Sequence, residues 1–162
     1  MSQVILVCGK LCSGKSTYAR RLQSASPNAV ILSCDELMLT LFPQGAGTHH
    51  DTLSERARTY LFSLSLDILK SGADVILEWG FWTKRWRQIA RAFYESHGIA
   101  CSLHYLDVTP EILQRHILAR NQAVQQDATN VYAVDEGLLA KMNTFFEEPE
   151  QDEVDVWYQP ES

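Results

Sequence analysis

An apolar run, Val4-Ile5-Leu6-Val7-Cys8, leads directly into Gly9-Lys10-Leu11-Cys12-Ser13-Gly14-Lys15-Ser16-Thr17. That stretch fits G-x-x-x-x-G-K-[ST], and Thr17-Tyr18-Ala19-Arg20-Arg21-Leu22 follows it without a helix breaker, so strand, phosphate-binding loop and helix are expected in succession. Gly9 and Gly14 let the backbone curl with its N–H groups turned inward around an anion, and the helix beginning near Lys15 adds the positive end of its dipole. In this reading Lys15 reaches the β- and γ-phosphates of a nucleotide and Ser16 offers a hydroxyl to Mg²⁺. Gly9, Ser13, Gly14, Lys15, Ser16 and Thr17 together make the cofactor-binding set.

The rest of the chain alternates in the same way. Ala29-Val30-Ile31-Leu32 reads as a second buried strand, and Ser33-x-x-Glu36 as a capping box for a short helix from Leu37 to Phe42. Leu53, Ala57, Tyr60, Leu61, Leu64 and Ile68 mark a long amphipathic helix that starts near Asp51 and stops at Gly72. Asp74 to Glu78 is a third strand, interrupted by Trp79-Gly80-Phe81-Trp82, after which Thr83 caps a helix ending at Gly98. Cys101 to Val108 is a fourth strand, and Thr109-Pro110 starts a helix running to about Asn121. The polar segment 122–132 reads as a mobile cover, within a lid spanning about 115–134. Leu138, Leu139, Met142, Phe145 and Phe146 form the face of a last helix, and Val154 to Trp157 a short fifth strand beyond an acidic loop.

Nearly continuous apolar strands separated by helices predict an α/β fold: a parallel sheet covered on both faces, with the ligand beyond the carboxyl ends of the strands. At 162 residues and 46% hydrophobic, the chain suits one domain. No apolar run approaches the roughly 20 residues of a membrane span, and no basic leader precedes the first strand, so a cytoplasmic protein without a membrane partner is expected. The four cysteines lack metal-ligand spacing and read as reduced thiols. A net charge of −6 argues against a broad grip on nucleic acid. Composition leaves the oligomeric state between monomer and homodimer.

The ligand rule gathers Gly9–Thr17, Asp35, Glu78–Trp82 and Asp107 around one cleft. Phosphoryl transfer needs a metal, positive charge on the transferred group and something to take or orient the proton of the nucleophile. Asp35, just past the second strand, is the candidate base, although it could simply cap the helix that follows. Glu78, at the end of the third strand, is placed to hold Mg²⁺ or to orient a bound hydroxyl. Among the aromatic residues that follow, Trp82 is a candidate pocket wall. On a helical wheel Arg120 falls within the apolar stripe of Ile112, Leu113, His116 and Ile117, where a guanidinium belongs only if it faces an anion or escapes at the helix end. Arg115 points to another side and could approach the adenine or the phosphates. Arg87 is a candidate substrate contact. His97, His104 and His116 read as structural.

With these residues in place, the chain resembles the small P-loop kinases that include polynucleotide 5′-kinase domains, zeta toxins and chloramphenicol phosphotransferases. The likeness rests on Gly9–Thr17, Ser33-Cys34-Asp35-Glu36, Gly80-Phe81-Trp82 with Arg87, and His104 to Val108 followed by Arg115 and Arg120-Asn121. It continues into Phe146-Glu147-Glu148-Pro149-Glu150 with Asp152-Glu153. The resemblance implies a five-stranded sheet in the order 2-3-1-4-5, dependence on ATP and Mg²⁺, Asp35 as base toward a substrate hydroxyl, lid arginines, and adenine near Pro149. Glu78 stands where an Asp is common. The reaction so implied is transfer of the γ-phosphate of ATP to a hydroxyl of a small molecule. A polynucleotide 5′-hydroxyl kinase and an ATP-binding regulatory module are the rival readings.

Overall fold

The computed structural model describes residues 1–126 and 134–160. In chain order the elements are β1 (Gln3–Gly9), α1 (Lys15–Ala25), β2 (Val30–Leu32), α2 (Cys34–Leu41), α3 (His50–Lys70), β3 (Val75–Gly80), α4 (Lys84–Ser96), β4 (Ala100–Leu106), α5 (Pro110–Gln125), α6 (Glu136–Phe145) and β5 (Val156–Tyr158). The five strands form one sheet in the order β2-β3-β1-β4-β5, with every pair parallel. This is the order the resemblance implied.

Alternation along the strands divides the core between the two faces of the sheet. Val4, Leu6, Val75, Leu77, Trp79, Leu103 and Tyr105 pack against Met38 of α2, Leu61 and Leu69 of α3, and Ala90 and Tyr94 of α4. On the opposite face Val7, Ile76 and Leu106 meet Tyr18 and Ala19 of α1. A third cluster lies above the strand ends, where Leu11 and Cys12 of the loop after β1 pack with Val134, Met142, Leu113, Ile117, Leu138 and Trp82. The residues that open the phosphate loop therefore belong to the same apolar cluster as α5 and α6.

Boundaries differ from the sequence reading in instructive places. Ser33 does cap α2, accepting from the Glu36 N–H, but the helix begins at Cys34, so Asp35 sits in its first turn. β3 continues through Trp79 to Gly80 because its odd-numbered residues keep facing the core. The parallel register skips a residue there, pairing Val7 with Glu78 and Cys8 with Gly80. α5 extends to Gln125, which places 122–125 in a helix rather than a cover; the expected lid residues 127–133 lie outside the described residues. Phe145, expected on the apolar face of α6, is exposed, and Met142 is its buried anchor.

Candidate active site

The loop after β1 is built by two left-handed residues, Cys12 (φ 63°) and Gly14 (φ 95°), the second supplying the turn into α1. Gly9 is needed for a different reason: a Cβ there would stand 2.6 Å from the Ser13 hydroxyl. Lys15, only 8% exposed, donates from Nζ to the carbonyls of Gly9 (3.2 Å) and Lys10 (2.8 Å). Its burial lowers the ammonium pKa, and Glu78 and Asp35 pull it back up. Ser13 is 1% exposed, and among the described residues its Oγ is the single buried side-chain polar atom without a hydrogen-bond partner.

Period-2 alternation points Glu78 to the same face as Ile76, toward the start of α1. There its carboxylate, 7% exposed, lies near the hydroxyls of Ser16 and Ser33, which favour its ionised form. Burial raises its pKa first, Lys15 opposes this, and Asp35 adds to it. Asp35 is exposed at the start of α2, but desolvation of its carboxyl by the surrounding protein raises its pKa against the pull of Lys15, His50, Arg120 and Arg58. Lys15, Ser16, Asp35 and Glu78 thus meet beyond the strand ends, with the charge of Arg120 reaching Lys15, Asp35 and Cys12.

α5 is secured to the phosphate loop by His116, whose Nδ1 lies 2.8 Å from the Cys12 carbonyl, and Arg120 follows one helical turn later. Arg115, expected near adenine or phosphates, is exposed, and it is not among the charges that act on Lys15, Asp35 or Glu78. Trp82 is half-buried in the cluster of α5 and α6, with its carbonyl accepting from Glu147 N–H at 2.7 Å.

Arg87 corrects the sequence reading. Expected to touch a substrate, it is 2% exposed and bonded throughout to protein. Nη1 donates to the carbonyls of Phe81 (3.0 Å), Trp82 (3.3 Å) and Glu147 (2.9 Å), while Nε holds Glu153 at 3.0 Å. It is an internal strut that fastens the end of β3 to the acidic loop before β5. His104, by contrast, is structural as expected, its Nδ1 2.8 Å from the Tyr18 hydroxyl.

Two residues near Asp35 escaped the sequence reading as site residues, His50 and Arg58, both on α3. Arg58 shares the inward stripe of Ser54, Leu61, Ser65 and Leu69, the same wheel signal that singled out Arg120. A further pocket of about 170 Å³ opens beside the phosphate loop between Lys10, Tyr105, Asp107, Val108, Phe146 and Glu148. It adjoins the loop around Pro149 that the resemblance assigned to adenine.

The donor set suits a magnesium-bound triphosphate on the structure's own terms. The orphaned Ser13 hydroxyl, the inward-curled loop and buried Lys15 answer phosphate oxygens, and the Ser16–Glu78 pair offers hard oxygen ligands. Among the described residues no group of three or more His, Cys, Asp or Glu could hold a metal ion. Also among the described residues, no helix is long and apolar enough to cross a membrane.

A parallel sheet in this order, a phosphate loop after β1, a carboxylate past β2 and another near the end of β3 define a P-loop protein of the kinase-like class. The chain belongs to the AAA domain family AAA_33, whose family model matches residues 4–149. No curated protein matches it. Among solved structures it is similar to a chain of the Pnkp1/Rnl/Hen1 RNA repair complex, with 22% identity and a TM-score of 0.68, covering 88% of this chain but only 43% of that one. Chaetomium thermophilum Kti12 in complex with ADP-AlF3 matches with 16% identity and a TM-score of 0.72, covering 97% of this chain and 88% of that one. The Mycobacterium tuberculosis APS kinase CysC, in complex with AMPPNP and APS, matches with 16% identity and a TM-score of 0.66, covering 99% and 90%. At these identities the likeness is one of fold.

Proposed function

We propose that the protein transfers the γ-phosphate of ATP to a hydroxyl of a small molecule. The observation that carries this reading is the convergence of Asp35 with Lys15 and Glu78, a carboxylate set across the cleft from a phosphate loop rather than merely capping α2, which Ser33 already does. Bound magnesium-ATP supplies the electrophilic phosphoryl group. The loop amides, Ser13 and Lys15 would hold the phosphates, while Ser16 and Glu78 would hold the metal. The pocket between Lys10 and Phe146 would take the adenine. Asp35 accepts the proton of the acceptor hydroxyl, and the Arg120 charge offsets the negative charge on the transferred group. A carboxylate with a raised pKa is a better proton acceptor than an ordinary one, and the desolvation of Asp35 provides that.

The test is transfer of label from [γ-³²P]ATP to a mixed alcohol library that includes a 5′-hydroxyl oligonucleotide. Label in a small alcohol, lost in Asp35→Asn, is the expected result. Label in the oligonucleotide would make the protein a polynucleotide kinase. Label in inorganic phosphate alone, unchanged by Asp35→Asn, would make it a nucleotide-hydrolysing switch.

A further inference from the structure

We propose that Arg58 selects the acceptor by binding an oxyanion, a carboxylate or a phosphate, carried by the alcohol whose hydroxyl faces Asp35. This assignment rests on the kinase reading and narrows it from any small alcohol to an anionic one.

Arg58 is half-buried on the inward stripe of α3 between buried Ser54 and Leu61, where a guanidinium gives up part of its water and gains from an answering charge. Two other arginines set into the fold receive one. Arg87 is met by Glu153 at 3.0 Å and Arg91 by Asp155 at 2.6 Å. Among the described residues Arg58 has no carboxylate within ion-pair distance, the pairs being Lys70–Asp67, Lys84–Glu150, Arg87–Glu153, Arg91–Asp155 and Lys141–Asp51. Its guanidinium instead lies over the Trp86 ring, 4.9 Å from the centroid. That ring carries no charge, so it orients the group without neutralising it.

The guanidinium so held lies beside the first turn of α2, where Cys34 Sγ donates to the carbonyl of Ser54, one turn before Arg58 on α3, and Asp35 follows Cys34. The guanidinium charge also lowers the Asp35 pKa. Arg58 there offers paired N–H donors, the arrangement that carboxylate and phosphate oxygens match bidentately. One edge of the cleft is bridged by Lys141 of α6, whose Nζ lies 3.0 Å from Asp51 in the first turn of α3. A compact acceptor with a hydroxyl at one end and an anion at the other fills this description.

Two measurements test the assignment. In the first, acetate and inorganic phosphate are titrated by calorimetry into wild type, Arg58→Gln and Arg58→Lys, each saturated with magnesium-AMPPNP so that the phosphate loop is blocked. At least one anion is expected to bind wild type, tenfold or more weakly to Arg58→Gln, and with intermediate strength to Arg58→Lys. Melting curves and an unchanged AMPPNP affinity establish that the variants are folded. Equal binding by wild type and Arg58→Gln, or none by wild type, overturns the proposal. In the second, ADP release from ATP is followed with glycerol, glycerate and glycerol 3-phosphate. A higher kcat/KM for one of the charged pair, lost in Arg58→Gln through KM, supports it and tells carboxylate from phosphate. A preference for neutral glycerol refutes it. Failure to bind magnesium-AMPPNP at all would instead remove the kinase reading on which it stands.

Discussion

Arg87 and Glu153 face each other at 3.0 Å with both side chains largely withdrawn from water, one on α4 and the other in the turn that leads into β5. Burial alone would raise the Glu153 pKa, but the bonds from Arg87 and from the Glu150 N–H hold it below its ordinary 4.5. Breaking such a pair strands a buried charge, so Arg87→Ala should destabilise the fold by about 3 kcal/mol in urea unfolding at pH 7. Because the folded pKa is depressed, this stabilisation is complete above the unfolded value and fades as pH falls through the folded one. The gap between wild type and variant should therefore narrow in acid, and a gap independent of pH would contradict the pairing.

Glu78 presents the opposite sign. Its folded pKa is raised, so its ionised form weakens the fold at neutral pH, a cost present above the folded pKa and relieved as protonation proceeds below it. Glu78→Gln, which keeps an oxygen for Ser16 and Ser33, should raise the melting temperature of the nucleotide-free protein at pH 7 and weaken magnesium-dependent ATP binding. Thermal denaturation with and without magnesium-ATP checks both halves.

Lys15→Ala removes the one buried ammonium beside the phosphate loop. Turnover should fall on the order of a thousandfold, as when a preorganised charge is taken from a developing anion. Steady-state kinetics on a variant with a wild-type melting curve measures it, and a loss within tenfold would contradict the role.

Asp35 should set the acid limb of kcat/KM, and that limb should lie above the ordinary 3.8 of an aspartate because the surrounding protein desolvates its carboxylate. Lys15, His50, Arg120 and Arg58 all pull the pKa down, so removing any of them moves the limb to higher pH. Arg120→Ala should shift the profile in that direction and reduce turnover more than ATP affinity. A profile identical to wild type would place Arg120 outside the reach of the base.

The strands, helix starts and phosphate loop were legible because they depend on local signals: apolar runs, glycines at fixed offsets and capping residues such as Ser33, Thr83 and Thr109. The sheet order is a long-range property and came only with the family resemblance. The role of Arg87 was not, since its acceptors at Phe81, Glu147 and Glu153 come from segments that only folding brings together. Glu78 was read as the end of the third strand but lies inside β3, two residues before Gly80, and its approach to Ser16 and Ser33 depends on how the strands register. Arg58 could have been found. It breaks the stripe of α3 as Arg120 breaks that of α5, and the Ser-rich character of that stripe disguised it.

The hydrogen bond from Leu11 N–H to Met142 Sδ at 3.0 Å, with His116 tied to the Cys12 carbonyl, joins the cradle floor to the roof above it. An outward swing of α5 or α6 must break one of these bonds or pull on the loop that precedes α1. Each bond contributes on the order of 1 kcal/mol, enough to bias roof and cradle toward moving together.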